Sequence, residues 1–240
     1  MKESQNNNGS ERGFLAKASY ALFDVGNSAV GAMHATFIFA VYFANVVAPE
    51  NGTSYWGYTT GAAALAVAIL GPILGGMADS RARRKLYLAI VVLIGVFANI
   101  ILWKVEPSTN FIWFALFFSF WSILANELMF VFYNALLPSV ASKENMGRVS
   151  GIGWAIGYFG AIVALGLALI VFIMPEQAPF GLDKDKSEHV RATMVLAGFW
   201  LLLFSIPIFL FVKEGAPASN ITRTWEMIKV GWSEISKIPG

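Results

Sequence analysis

Six long apolar stretches separated by short polar breaks constrain this chain more than any other feature of its sequence. They run from about Lys17 to Val47, Tyr55 to Ala78, Leu86 to Trp103, Phe111 to Leu137, Val149 to Met174 and Ala192 to Val212. A helix needs about 20 apolar residues to cross the hydrocarbon core, so each stretch is long enough to span it. Every backbone polar group in lipid must find a partner inside the protein, which leaves helices or a closed barrel. No period-two alternation appears, which argues against a barrel. The expected fold class is therefore an all-α membrane protein, a bundle of six transmembrane helices. The polar residues 1–16 are followed by an apolar run far too long for a signal peptide and without a cleavage pattern, so the first stretch is expected to be a retained helix behind a short tail.

Composition removes the main alternatives. Only 13% of the 240 residues are charged, against roughly 25% in soluble domains. With 57% hydrophobic residues the chain has too little polarity for disorder. It has no cysteine, which excludes disulfides, thiolate metal sites and thiol nucleophiles. A net charge of +2 gives no footprint for a nucleic-acid partner. Two histidines, His34 and His189, and scattered acids do not make a metal site. No phosphate-binding or dinucleotide-binding glycine pattern is present; Gly151-Ile152-Gly153 opens an apolar helix with no strand before it. The readings are no enzyme, no metal and no cofactor.

The basic residues set the orientation. Lys2, Arg12, Lys17, Arg81, Arg83, Arg84, Lys85, Lys143, Arg148, Lys213, Arg223, Lys229 and Lys237 fall on one side of the six spans. Lys104, Lys184, Lys186 and Arg191 fall on the other, and all of these cations are read as lying in loops and tails. By the positive-inside rule both termini are cytoplasmic, in agreement with an even number of spans. The expected location is the bacterial inner (cell) membrane, with the lipid bilayer as the first partner.

Asp24 and Glu127 are the two acids that remain inside apolar stretches. A carboxylate at the centre of a spanning helix costs about 2.5–3.5 kcal/mol, so such residues usually face a cavity or a partner. Counted at 1.5 Å per residue, both lie at comparable depth, about 10–15 Å from the basic side. Asn27 and Ser28 share the Asp24 face at helical spacing, and His34 follows Asn27 after two turns. Asn126 precedes Glu127, and Asn134 follows it after two turns. One reading is a polar cavity between spans one and four, with Asp24 or Glu127 carrying a proton and the amides and His34 meeting substrate. The other is structural: Asp24 pairs with Arg148 or Arg81, Glu127 bonds a neighbouring helix, and His34 bonds another helix. Asn99 is read as packing glue. Gly153, Gly157 and Gly160 in span five allow close helix approach, and Pro72 and Pro207 are expected to kink spans two and six.

The loop after span two reads Gly75-Gly76-Met77-Ala78-Asp79-Ser80-Arg81-Ala82-Arg83-Arg84-Lys85. It resembles the signature loop of the major facilitator superfamily, Gly-x-Leu-Ala-Asp-Arg-x-Gly-Arg-Arg, through Gly75, Ala78, Asp79, Arg83 and Arg84. Met77 replaces the Leu, Ser80 an Arg, and Ala82 the second Gly. Two further stretches narrow the resemblance: Tyr20-Ala21-Leu22-Phe23-Asp24-Val25-Gly26-Asn27-Ser28, and Phe132-Tyr133-Asn134 followed by Gly147-Arg148-Val149-Ser150-Gly151. Both are similar to the branch that contains the fungal autophagy-related vacuolar amino-acid effluxer and its bacterial relatives. That branch often has Trp-Ala where Val25-Gly26 stands here. The resemblance implies one half of a major facilitator fold, built of 3+3 inverted repeats. It implies secondary active transport of small solutes, with amino-acid efflux and proton coupling as the expected activity. Gly75, Asp79, Arg83 and Arg84 become a gating loop that latches the cytoplasmic gate.

Facilitators of this class have two six-helix halves. Beyond Val212 the residues Ile221, Trp225, Ile228, Trp232 and Ile235 recur at helical spacing on one face. Residues 213–240 are thus expected to form an amphipathic linker helix on the cytoplasmic surface. The chain is expected to be truncated before a second half, which would come from the same gene product or from a separate chain. The alternative is a non-transporting scaffold or regulatory subunit derived from a transporter half.

Overall fold

The computed structural model describes residues 2–80 and 82–215. The expected linker face from Ile221 to Ile235, and Arg81, lie outside the described residues. The chain winds through α1 (Lys2–Val30), α2 (Phe39–Tyr42), α3 (Gly52–Ser80), α4 (Arg84–Ile101), α5 (Ile112–Val140), α6 (Met146–Ala168) and α7 (Glu188–Phe211). No strand occurs among the described residues. Six helical segments among the described residues are long and apolar enough to cross a membrane: Gly13–Val47, Gly52–Asp79, Arg84–Lys104, Thr109–Val140, Met146–Ile173 and Glu188–Phe211. They match the six stretches read from the sequence, extended by a few residues at most ends.

Those extensions correct one sequence reading. Lys17, Arg84, Lys85, Lys104, Arg148 and Arg191 sit near the ends of spans and not in loops. The helices run past the thickness that the hydrocarbon requires, and long basic side chains reach from their last turns to polar surroundings. Arg191 is the strongest case. It is only 4% exposed in the first turn of α7 and donates from Nη1 to the Trp103 carbonyl at 2.8 Å. Its guanidinium lies 5.1 Å from the Trp103 ring centre, and Nη2 is 3.6 Å from Glu188 Oε1.

The first span is not one uniform helix. π-helical turns at Gly31–Phe37 and Phe43–Val47 flank the short α2. At Ile38, between the first π turn and α2, the N–H reaches back to the Met33 carbonyl at 3.1 Å. His34 lies buried within this wider turn, and single π turns of this kind are often found at functional sites. Pro72, Pro138 and Pro207 are all accommodated within helices.

The packing has a simple order. The first span packs mainly against the fifth and sixth (α6 and α7), and the fourth (α5) against the second and third (α3 and α4). The third and sixth spans, α4 and α7, pack against each other. Exchanging spans one and four, two and five, and three and six maps this pattern onto itself. Two three-helix units related by a twofold in the membrane plane produce this arrangement. The second and fifth spans are the least buried, and the fourth is the most buried.

Glycine fixes the tightest seam. On α6, a Cβ on Gly153 would lie 3.0 Å from the Tyr133 hydroxyl, and one on Gly160 would lie 2.9 Å from Val25 Cβ. One on Gly157 would lie 2.6 Å from Asp24 Cγ. The three glycines expected to bring helices together therefore form the contact surface of α6 for α1 and α5.

Candidate functional site

A cavity of about 430 Å³ opens between the first, fourth and fifth spans. Span one supplies Asn27, Ser28, Gly31 and His34; α5 supplies Ser122, Asn126 and Glu127; α6 supplies Tyr158, Ala161 and Leu165. On α6 the lining residues Tyr158, Ala161 and Leu165 recur every three or four residues, so that helix turns one face to the cavity, whereas span one lines it almost continuously from Asn27 to Phe37. Five of the sequence candidates thus meet in one place: Asn27, Ser28, His34, Asn126 and Glu127. Among the described residues no lysine or arginine lines this cavity.

Asn27 is fully buried at the cavity wall, and among the described residues neither its Nδ2 nor its Oδ1 has a partner. Asn126 Oδ1 is likewise buried and unpartnered. Buried amides are normally hydrogen-bonded, and leaving one unmade costs about 1–3 kcal/mol. Two such amides from facing helices, beside the exposed Glu127 carboxylate, make a donor–acceptor surface with capacity left for a polar guest.

His34 is more fully engaged. It is 1% exposed, with Nε2 3.1 Å from Ser119 Oγ and Nδ1 3.3 Å from Ser122 Oγ. Ser122 Oγ also accepts from Asn99 Nδ2 at 2.9 Å, and Asn99 Nδ2 donates to the Gly95 carbonyl at 2.8 Å. Phe39 and Trp56 close the other side of the imidazole, with ring centres at 5.4 and 5.5 Å. The interhelical bonding expected of His34 and of Asn99 is present, and it forms one continuous chain across spans one, four and three. His34 also borders the cavity, so this chain links the cavity wall to α4.

Asp24 lies one turn below Ser28, 2% exposed, and does not itself line the cavity. Ser28 Oγ donates to Asp24 Oδ1 at 3.3 Å. Among the described residues Asp24 makes no ion pair; Arg148 is exposed at the start of α6. Below Asp24, the rings of Tyr20 and Tyr133 stack with centres 4.0 Å apart and both hydroxyls are buried. Phe23 stacks on Tyr133 at 5.1 Å. An aromatic layer and a buried carboxyl therefore close the floor. Asn134 follows this layer on α5, is exposed, and does not reach the cavity.

At the basic end, the loop between α3 and α4 is held by charge. Asp79 Oδ1 receives Arg84 Nε at 2.5 Å. Lys85 Nζ donates to the Phe209 and Val212 carbonyls at 2.6 and 2.8 Å, and the Lys85 N–H donates to Glu214 Oε1 at 2.6 Å. A cation capping the final carbonyls of a helix is a favourable placement. The second, third and sixth spans are thereby tied together. Gly75 sits where a Cβ would be 3.3 Å from Val131 of α5, and Arg83 is exposed. Ala82, which stands where the signature loop has glycine, takes φ +49°.

Sequence reasoning missed three parts of the site: the wall contributed by α6, the serines Ser119 and Ser122, and the Tyr20–Tyr133 stack. The serines carried a readable signal, since Ser119, Ser122 and Asn126 fall three and four residues apart on a mostly apolar helix.

A family described as vacuole effluxer Atg22 like matches residues 39–238. The chain belongs to the Atg22-like family. An uncharacterized MFS-type transporter, YxiO of Bacillus subtilis, is 29% identical over 204 residues, covering 82% of this chain and 46% of that protein. An uncharacterized protein of Aquifex aeolicus is 26% identical over 208 residues, covering 87% of this chain and 48% of its own length. Autophagy-related protein 22 of Cryptococcus neoformans is 30% identical over 108 residues, 42% of this chain and 18% of that protein. This Atg22-like chain spans about half the length of its bacterial relatives. Among solved structures, the inward-open xylose transporter XylE of E. coli matches with a TM-score of 0.60 at 13% identity, over 94% of this chain and 56% of XylE. The fold is that of a major facilitator transporter, and the chain is a multi-pass membrane protein of that superfamily.

Proposed function

We propose that this chain is the N-terminal half of a secondary active transporter that moves small polar solutes, with amino-acid efflux as its activity and protons as its coupling ion. The observation that carries the reading is the cavity at the junction of spans one, four and five, where Asn27 offers an unpartnered buried amide beside Glu127. Substrate would bind there between two six-helix halves, the second supplied by the same gene product or by a separate chain. Asp24 and Glu127 are the coupling carboxylates: Glu127 meets the cavity directly, and Asp24 answers through Ser28. The ion-paired loop of Asp79 and Arg84 gates the basic end. The distribution of lysine and arginine supports cytoplasmic termini in a bacterial inner membrane.

The test is uptake by the complete two-half transporter in proteoliposomes with an imposed pH gradient. Asp24→Asn and Glu127→Gln each abolish proton-driven accumulation while leaving the protein folded. Accumulation that survives both substitutions would remove the coupling role. Residues 1–240 reconstituted alone give no counterflow, since alternating access needs a second half to move against; counterflow by this chain alone overturns the half-transporter reading.

A further inference from the structure

A second recess, of about 630 Å³, lies between α1 and α6 at the basic end of the bundle. Its floor is apolar, formed by Ala18 and Ala21 of α1 with Ile152 and Ile156 of α6, and Lys17 and Arg148 stand on its rim. Both cations are exposed, and among the described residues neither has an acidic partner.

The position of this recess distinguishes it from the cavity. On α6 the cavity residues are Tyr158, Ala161 and Leu165, whereas the recess takes Ile152 and Ile156. The buried glycines Gly153, Gly157 and Gly160 run between these two stripes. The recess therefore lies on the opposite flank of the α1–α6 seam, away from the cavity. Along the helices it sits at the span ends, where chain direction and basic residues mark the membrane–water boundary.

We infer that this recess binds one anionic phospholipid, its phosphate between Lys17 and Arg148 and an acyl chain along Ala18, Ala21, Ile152 and Ile156. Charge complementarity selects the occupant: two unpaired cations above an apolar slot match a negative headgroup on a hydrocarbon tail. Basic pockets between membrane helices on the cytoplasmic side recognise lipid headgroups in this way. Arg148 presents a planar fork of donors to phosphate, and Lys17 adds a point charge on a flexible stem. The short side chains of Ala18 and Ala21 leave the groove into which a tail can lie. The inference requires the membrane placement of the chain and is independent of transport, so it stands or falls apart from the proposed function.

Native mass spectrometry of the purified 240-residue chain, released from micelles doped with palmitoyl-oleoyl phosphatidylglycerol or phosphatidylcholine, tests it. One phosphatidylglycerol is retained in preference to phosphatidylcholine by about 25-fold, given roughly fivefold for each of the two cations. Lys17→Gln with Arg148→Gln removes that preference and leaves helical content unchanged. Ala21→Trp, which fills the groove, lowers retention of phosphatidylglycerol with both cations still present. Equal retention of the two lipids by the unaltered chain overturns the inference, as does an undiminished preference in the double variant. Full displacement of phosphatidylglycerol by 10 mM inorganic phosphate, or no effect of Ala21→Trp, also overturns it, by reducing the site to a surface anion contact.

Discussion

Asp24 on α1 rests its carboxyl against the backbone of Gly157 on α6, where a Cβ would lie 2.6 Å from Asp24 Cγ. A buried carboxyl and a glycine on two helices thus occupy one volume that neither residue could share with a larger partner. Gly157→Ala is expected to destabilise the bundle by about 1–3 kcal/mol, the usual cost of overpacking. Asp24→Ala on that background recovers part of the loss, because neighbours that compete for space are not additive. Thermal unfolding of the four proteins in detergent measures the cycle. Strict additivity would show that the contact does not limit the seam.

The His34 chain yields a ranking. Among the described residues Ser122 Oγ bonds both His34 and Asn99, whereas Ser119 Oγ bonds only His34. Removing a buried hydroxyl leaves its former partners unsatisfied, at about 1–3 kcal/mol each time. Ser122→Ala is expected to lower the unfolding midpoint more than Ser119→Ala. A reversed order in parallel melts would mean that the bond to Asn99 contributes nothing net.

Particular residues show how far the sequence could be read. The six spans were legible because lipid demands long apolar runs and admits few charges. Asn27, Ser28, His34, Asn126 and Glu127 were legible as site residues because polar groups are conspicuous against such runs. The π turns of span one were not, since Gly31 to Phe37 reads as an ordinary apolar helix. The α6 wall was hidden for a related reason: Tyr158, Ala161 and Leu165 resemble any lipid-facing stripe until packing places them against Asn27. Asn134 illustrates the opposite failure. It shares the Glu127 face by spacing, but two turns of helix carry it past the Tyr20–Tyr133 layer and out of the cavity.

Ala82 carries a local backbone cost that can be relieved. Its φ of +49° lies in the left-handed region, which costs an L-residue about 1–2 kcal/mol relative to glycine. Glycine gives back part of this through the greater freedom of its unfolded chain. Ala82→Gly is therefore expected to stabilise the protein by about 0.5–1 kcal/mol, and Ala82→Val to destabilise it by more, since a β-branched side chain fits this region worse. Unfolding midpoints of the two variants should move in opposite directions; a fall with glycine would show that the loop is not strained at this residue.

The loop that Ala82 belongs to separates stability from gating. The Asp79 side chain is 42% exposed, so its pair with Arg84 falls among the solvent-screened bridges worth less than about 1 kcal/mol. Lys85, by contrast, satisfies two carbonyls at the end of α7 and fastens that helix to α4. Asp79→Asn should leave the melting of the isolated bundle almost unchanged, and Lys85→Met should lower it clearly. If the Asp79–Arg84 pair is the gate latch, the order reverses for function. In the two-half transporter Asp79→Asn shifts the gate equilibrium by a coupling energy of about 1–3 kcal/mol, or 5- to 150-fold. Accessibility of a cysteine placed at Ser28 to a membrane-impermeant thiol reagent from the basic side reads that equilibrium directly. This half contributes no native cysteine to the labelling. A labelling rate unaltered by Asp79→Asn would leave the pair as a loop brace with no part in gating.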